Sequence, residues 1–182
     1  MNRFSSKLMD KDVQLFYYLN SNINIKNNFI DGLMICITHL GGIYFNSFLL
    51  ISLIIFQPEF NPLIGLELAL TQIFSQIFVH AVKRIIDRKR PYINLDDSKS
   101  LIEPLEKYSF PSGHTTASFS TAFLLSLYLP QLSLLFFSAA ALVAFSRIYL
   151  GLHYPSDIFM GIITAYFFYK IVHYLFINLE LL

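Results

Sequence analysis

Residues 108–146, YSFPSGHTTASFSTAFLLSLYLPQLSLLFFSAAALVAFS, run for 39 positions without an Asp, Glu, Lys or Arg. A bilayer core is crossed by roughly 20 apolar residues, so this window is long enough for two crossings. Pro130 near its middle breaks helical hydrogen bonding and divides it into a helical hairpin, about 112–129 and 131–149. That reading decides the fold class: an all-α polytopic membrane bundle. Working outward, residues 32–58 are a second charge-free window of 27 positions. Phe29 to Phe56 is too short for two crossings and reads as one long, tilted span with a bend at Gly41-Gly42. Gln57 to Pro62 is a turn-rich connector, Leu63 to Ile86 the next span, and Pro155 to Ile177 the last. Lys170 lies near enough to the end of that last span to snorkel. The count is about five transmembrane helices. Residues 1–26 form a polar arm whose Val13–Leu19 patch suits an interfacial helix with its aromatic face in the headgroups. Residues 87–111 are the long hydrophilic loop, and residues 1–182 are expected to make a single membrane-embedded domain.

Composition supports this. Hydrophobic residues make up 55% of the 182-residue chain and charged residues only 14%, against about 25% charged in soluble domains. That excludes an ordinary cytosolic globule. A net charge of +1 offers nothing to nucleic acid, and the single Cys36 permits no disulfide within the chain. The polar opening from Asn2 to Lys11 does not have the form of a signal peptide. With an odd number of spans, the arm, the 87–111 loop and the turn near 150–155 share one side of the membrane.

Three polar clusters converge on that side. The first runs from Lys83 to Pro91, with Lys83 and Arg90 seven residues apart, two helical turns. Such a cluster is either a basic membrane anchor or an anion site. The second, Phe110-Pro111-Ser112-Gly113-His114, precedes an apolar helix, whose N-terminus favours an anion. Gly113 permits close approach of backbone to a ligand, and Ser112 is either a hydroxyl donor or an ordinary N-cap. The third holds Arg147, His153 and Asp157. The last two, four apart across a helix start at Pro155, can bring imidazole and carboxylate within hydrogen-bond reach, which fixes a tautomer and frees one nitrogen as nucleophile or base. Cations, a helix N-terminus, two histidines and a carboxylate together imply phosphoryl transfer or hydrolysis at the bilayer surface.

Lys83, six residues, Arg90-Pro91; Pro111-Ser112-Gly113-His114; Ser146-Arg147, five residues, His153, three residues, Asp157: this three-part pattern resembles the signature of the type 2 phosphatidic acid phosphatase superfamily. The resemblance covers residues 83–157, and the chain looks most like small bacterial members acting on undecaprenyl diphosphate or phosphatidylglycerol phosphate. It implies that His153 is the nucleophile and becomes a phosphohistidine, that Asp157 orients it, and that His114 is the general acid. It implies that Lys83, Arg90, Arg147, Ser112 and the Gly113 amide hold phosphate oxygens, without metal or other cofactor. The sequence shows no ligand spacing suited to a metal. The expected activity is hydrolysis of a lipid phosphate or diphosphate whose tail stays in the bilayer of a bacterial plasma membrane, with the site facing outward. Undecaprenyl diphosphate is the first choice of substrate, and phosphatidylglycerol phosphate or phosphatidic acid the second. A non-catalytic lipid-phosphate binder or transporter would need the cations but not the nucleophile and acid. His39, His80 and His173 read as packing or interfacial residues, Glu67 as reaching toward the headgroups, and Asp87 as an i, i+4 partner for Lys83.

Overall fold

The computed structural model describes residues 3–21, 27–55, 63–95, 98, 100–102, 104 and 106–179. The Gln57–Pro62 connector and several positions of the hydrophilic loop lie outside the described residues. Among the described residues eight α-helices follow in order: α1 (Arg3–Ser21), α2 (Asn28–His39), α3 (Ile43–Ile55), α4 (Leu63–Ile86), α5 (Pro91–Asn94), α6 (Gly113–Tyr128), α7 (Ser133–Tyr149) and α8 (Pro155–Asn178). A 3₁₀ turn at Pro130–Leu132 joins α6 to α7. The described residues contain no strand.

Among the described residues three segments are long and apolar enough to cross a membrane: Leu63–Ile86, Pro130–Tyr149 and Pro155–Asn178. The α2–α3 pair meets the same test as one span bent by 49°, and its break falls at Leu40–Gly42, where the glycine pair predicts a bend. Packing explains why glycine stands there. A Cβ on Gly41 would lie 2.6 Å from Val143 and 3.0 Å from the Cβ of His114, so only a bare backbone fits between α6 and α7. The remaining expected span, α6, is 16 residues, about 24 Å at 1.5 Å per residue, shorter than the roughly 30 Å apolar layer. Its start is set by Ser112, whose carbonyl accepts from the Thr116 amide, and Pro130 closes its far end. It is the central helix, packed against α4, α7 and α8.

The core forms where α6, α7 and α8 meet, around Phe119, Ala122, Ala140, Ala144, Ile158 and Ala165. Small residues on α7 and α8 let the helices approach closely. α1 departs from the expected interfacial helix in one respect. Tyr18 is exposed, but Phe16 is fully buried in that same core, so one face of the arm packs on protein rather than on headgroups. Glu67 is a second correction. It is fully buried, accepts a hydrogen bond from the Tyr128 hydroxyl at 2.6 Å and pairs with His173 Nδ1 at 2.8 Å, because a carboxylate inside a bundle needs partners.

Candidate active site

Local sequence explains how each polar side chain reaches one end of the bundle. Pro155 opens α8 at its first turn. Asp157 caps the helix start: its carboxylate accepts from the Tyr154 amide at 2.9 Å, and its own amide donates to the Tyr154 carbonyl. The cap holds His153 and Asp157 rigidly in a turn that Gly151, at φ 71°, makes possible. The Ser112 amide donates to the Asp157 carbonyl at 3.0 Å, tying the start of α6 to the start of α8. Gly161 makes this close approach possible, since a Cβ there would stand 2.9 Å from the Ser112 carbonyl oxygen.

His153 is 1% exposed. Its Nε2 lies 3.1 Å from Arg90 Nη1 and 3.5 Å from Arg147 Nη2. A guanidinium has only donors, so Nε2 is the acceptor and the ring proton lies on Nδ1. Nδ1 is 3.4 Å from Asp157 Oδ2, close but outside hydrogen-bonding geometry. Burial, then the charges of Arg90, Arg147, Lys83 and His114, holds the imidazole well below its ordinary range, so it is neutral at pH 7.

The arginines are anchored from behind. Arg90 Nε donates to the Glu106 carbonyl at 2.8 Å and Nη1 to the Leu152 carbonyl at 3.1 Å. Arg147 Nη1 donates to Thr38 of α2 at 2.9 Å, while its Nε is buried without an acceptor among the described residues. Ser112 is fully buried and accepts from the Thr115 hydroxyl at 2.9 Å and, at 3.5 Å, from the Thr115 amide. Its N-cap role is therefore filled. The Gly113 carbonyl accepts from Gln76 of α4. His114 faces the α2–α3 break, where a Cβ on Gly42 would lie 3.7 Å from its Nε2.

Lys83 does not pair with Asp87. It pairs with Glu106, whose other carboxylate oxygen meets His80 Nδ1 at 2.8 Å. Asp87 instead takes φ 49° at the end of α4, a left-handed position that Asp tolerates better than most residues. Burial raises the Glu106 carboxyl, but the Lys83 hydrogen bond and charge, with His80 and Arg90, outweigh it and hold it below the usual carboxylate range.

Arg88 and Asp12 belong to this end of the molecule as well, and sequence reasoning gave neither a role. Arg88 Nη1 donates to Asp157 Oδ1 at 2.7 Å and Nη2 to Asp12 Oδ2 at 2.6 Å. Arg88 stood in view within the basic cluster, but its partners are 69 and 76 residues away. Glu106 was foreseeable in kind only, since a buried ammonium needs an anion and Asp87 was merely the nearest in sequence.

Residues 64–180 match the PAP2 superfamily. The chain is 33% identical over 112 residues to the lipid A 1-phosphatase of Rhizobium johnstonii, a stretch covering 58% of this chain and 45% of that protein. It thus spans about half the length of that relative. It is 30% identical over 152 residues to the undecaprenyl-diphosphatase of Sulfolobus acidocaldarius, covering 82% of this chain and 71% of that protein. Among solved structures it is similar to Aquifex aeolicus LpxE, with a TM-score of 0.75 and 31% identity, over 88% of this chain and 93% of that one.

Proposed function

This chain belongs to the PAP2 superfamily, and on that premise we propose that it is an integral membrane lipid phosphate phosphatase working through a phosphohistidine. The observation that carries the reading is the environment of His153: a neutral Nε2 flanked by Arg90 and Arg147, with the proton-bearing Nδ1 toward Asp157. A phosphate entering between the two guanidiniums meets the lone pair of Nε2. Bidentate guanidinium contacts suit its non-bridging oxygens, and Arg147 Nε, which has no acceptor among the described residues, is a further donor for one of them. Lys83, Ser112 and the Gly113 amide complete the set of phosphate-binding groups.

In the first half-reaction Nε2 attacks phosphorus, the bond from phosphorus to the leaving oxygen breaks, and His114 gives that oxygen its proton. Asp157 stabilises the charge that develops on the ring. In the second half, water attacks phosphorus, His114 takes its proton, and the phosphorus–nitrogen bond breaks to release phosphate and restore Nε2. Positioned cations stabilise both transition states.

The substrate we propose is an isoprenyl diphosphate of the undecaprenyl type, whose leaving group is the lipid monophosphate. The 152-residue similarity to an undecaprenyl-diphosphatase supports this choice. The site is proposed to face outward from a bacterial plasma membrane. Basic residues normally mark the cytoplasmic side, but on this reading Lys83, Arg90 and Arg147 stand at the site to hold phosphate, whichever face it takes.

The test uses the full chain in detergent with undecaprenyl diphosphate, phosphatidylglycerol phosphate, phosphatidate and lipid A compared by kcat/KM. Undecaprenyl diphosphate is expected to rank first; another lipid ranking first reassigns the substrate and leaves the chemistry standing. His153→Ala should release no phosphate and trap no acid-labile, base-stable label. Normal turnover by that variant overturns the mechanism.

A further inference from the structure

The arm that precedes the membrane bundle carries three residues, Asp12, Phe16 and Asn20, each four positions from the next. At 3.6 residues per turn these fall on one face of α1, and each meets the segment that carries the site. Asn20 Nδ2 donates to the Ile148 and Tyr149 carbonyls at 3.0 Å, at the end of the helix that bears Arg147. The fully buried Phe16 ring packs edge-on against Tyr154, with centroids 5.7 Å apart. Asp12 accepts from the Ser156 amide at 3.0 Å, from the Ser156 hydroxyl at 2.5 Å and from Arg88 Nη2 at 2.6 Å. Tyr154 and Ser156 are two of the three residues between His153 and Asp157.

Arg88 joins this stripe to the carboxylate. Its Nη1 donates to both Ser156 Oγ and Asp157 Oδ1 at 2.7 Å, and its guanidinium lies over the Tyr154 ring at 4.0 Å. Asp157 is fully buried and cannot be ionised there without such a partner. With Arg88 on Oδ1 and the Tyr154 amide on Oδ2, the carboxylate has no freedom to rotate away from His153. Arg88 is fixed in turn, because its other arm is held by Asp12. A planar fork with two donor edges can bridge two carboxylates in this way, whereas a single ammonium cannot match its geometry.

We propose that Arg88 and Asp12 are positioning residues for hydrolysis, so that the N-terminal helix completes the active site by holding the Asp157 carboxylate against His153. Neither residue touches the phosphate. This inference rests on the phosphohistidine reading above, and the experiment separates the two.

Arg88→Gln, Asp12→Asn and the double variant are made in the full chain, and rates are normalised to folded protein. Each single variant should lose kcat by about tenfold to a hundredfold, the scale of a misplaced reacting group, with KM within about twofold of the wild type. The single-turnover rate of phosphohistidine formation should fall by the same factor. The double variant should be no slower than Arg88→Gln, because both residues act through one fork. Ser156→Ala removes only the hydroxyl shared by Asp12 and Arg88, and keeps the test decisive if a charge variant does not fold. It too must lower kcat and spare KM. Wild-type kcat in these variants beside an inactive His153→Ala overturns the inference alone; turnover by His153→Ala overturns the reading beneath it. A raised KM with unchanged kcat would place Arg88 among the phosphate-binding groups and also overturn the positioning role.

Discussion

At His153 the two ring nitrogens face opposite charges, guanidiniums at Nε2 and a carboxylate beyond Nδ1. Protonating Nε2 would set a cation against two others in a buried space, so the ring stays neutral far below its ordinary pKa of about 6.5. The consequence for stability has a definite sign. The unfolded chain takes up the His153 proton below about pH 6.5 and the folded chain does not, so stability is full above that value and falls as pH drops toward the folded pKa. The Glu106 carboxyl, also held down, adds its own loss only below about pH 4.3. Thermal midpoints in detergent compared from pH 7 to pH 5 should therefore show His153→Asn less acid-sensitive than the wild type by one proton's share of the slope, about 1.4 kcal/mol per pH unit at most. An unchanged slope in the variant would mean that His153 is protonated when folded. At this scale most of the candidate site was legible in the chain. Lys83, Arg90, Ser112, Gly113, His114, Arg147, His153 and Asp157 lie in three short runs whose residue types and spacing suggest the proposed chemistry. Arg88, Asp12 and Glu106 were not, because what they do depends on partners brought together by the fold, and a charged residue beside a membrane span has many ordinary reasons to be there.

Among the elements, α6 and α8 carry the site jointly, and their contact is set by one missing side chain. A methyl on Gly161 would meet the Ser112 carbonyl at 2.9 Å, the Thr115 Cβ at 3.2 Å and Thr116 Oγ1 at 3.3 Å. Backbone cannot yield as a flexible side chain does, so the helices must part. Gly161→Ala should cost about 1–3 kcal/mol and lower kcat, since the Ser112 amide moves off the Asp157 carbonyl. Gly32 in α2 is the internal control, because nothing lies within 4 Å of its Cβ position. Gly32→Ala should leave activity unchanged and stabilise the protein by about 0.5–1 kcal/mol, the ordinary preference of a helix interior for alanine. Thermal unfolding and kcat of the two variants check both halves; equal behaviour would show that the α6–α8 approach does not constrain the site. Helix positions were readable from charge-free windows and proline breaks. The buried stripe of α1 was harder to see, since four-residue spacing of Asp12, Phe16 and Asn20 mixes an acid, an aromatic and an amide, and apolar periodicity alone does not find such a face.

Across the whole molecule the polar groups divide between the two ends of the bundle. One end gathers Lys83, Arg88, Arg90, Arg147, His153 and Asp157. Away from it, Glu67, Tyr128 and His173 join α4, α6 and α8, and the Phe123 ring lies against Phe137, Tyr166 and Tyr169 in the layer between. By sequence, 12 of the 13 Lys and Arg accompany the site and only Lys170 belongs to the other end, its ammonium over the Tyr166 and Tyr169 rings. Counted without structure, that asymmetry directs the site to the cytoplasm. On the reading above, Lys83, Arg90 and Arg147 stand there to hold phosphate whichever face the site takes, and the basic-residue bias has exceptions. Lys107 offers a direct probe, being exposed in the loop beside the site. In a Cys36→Ser background, which removes the chain's own cysteine, Lys107→Cys should react with a membrane-impermeant maleimide added to intact cells. The expected labelling equals that seen after the membrane is opened. Labelling only after opening would put the site on the cytoplasmic face, and with it the lipid phosphate on the leaflet where the basic residues alone would have placed it.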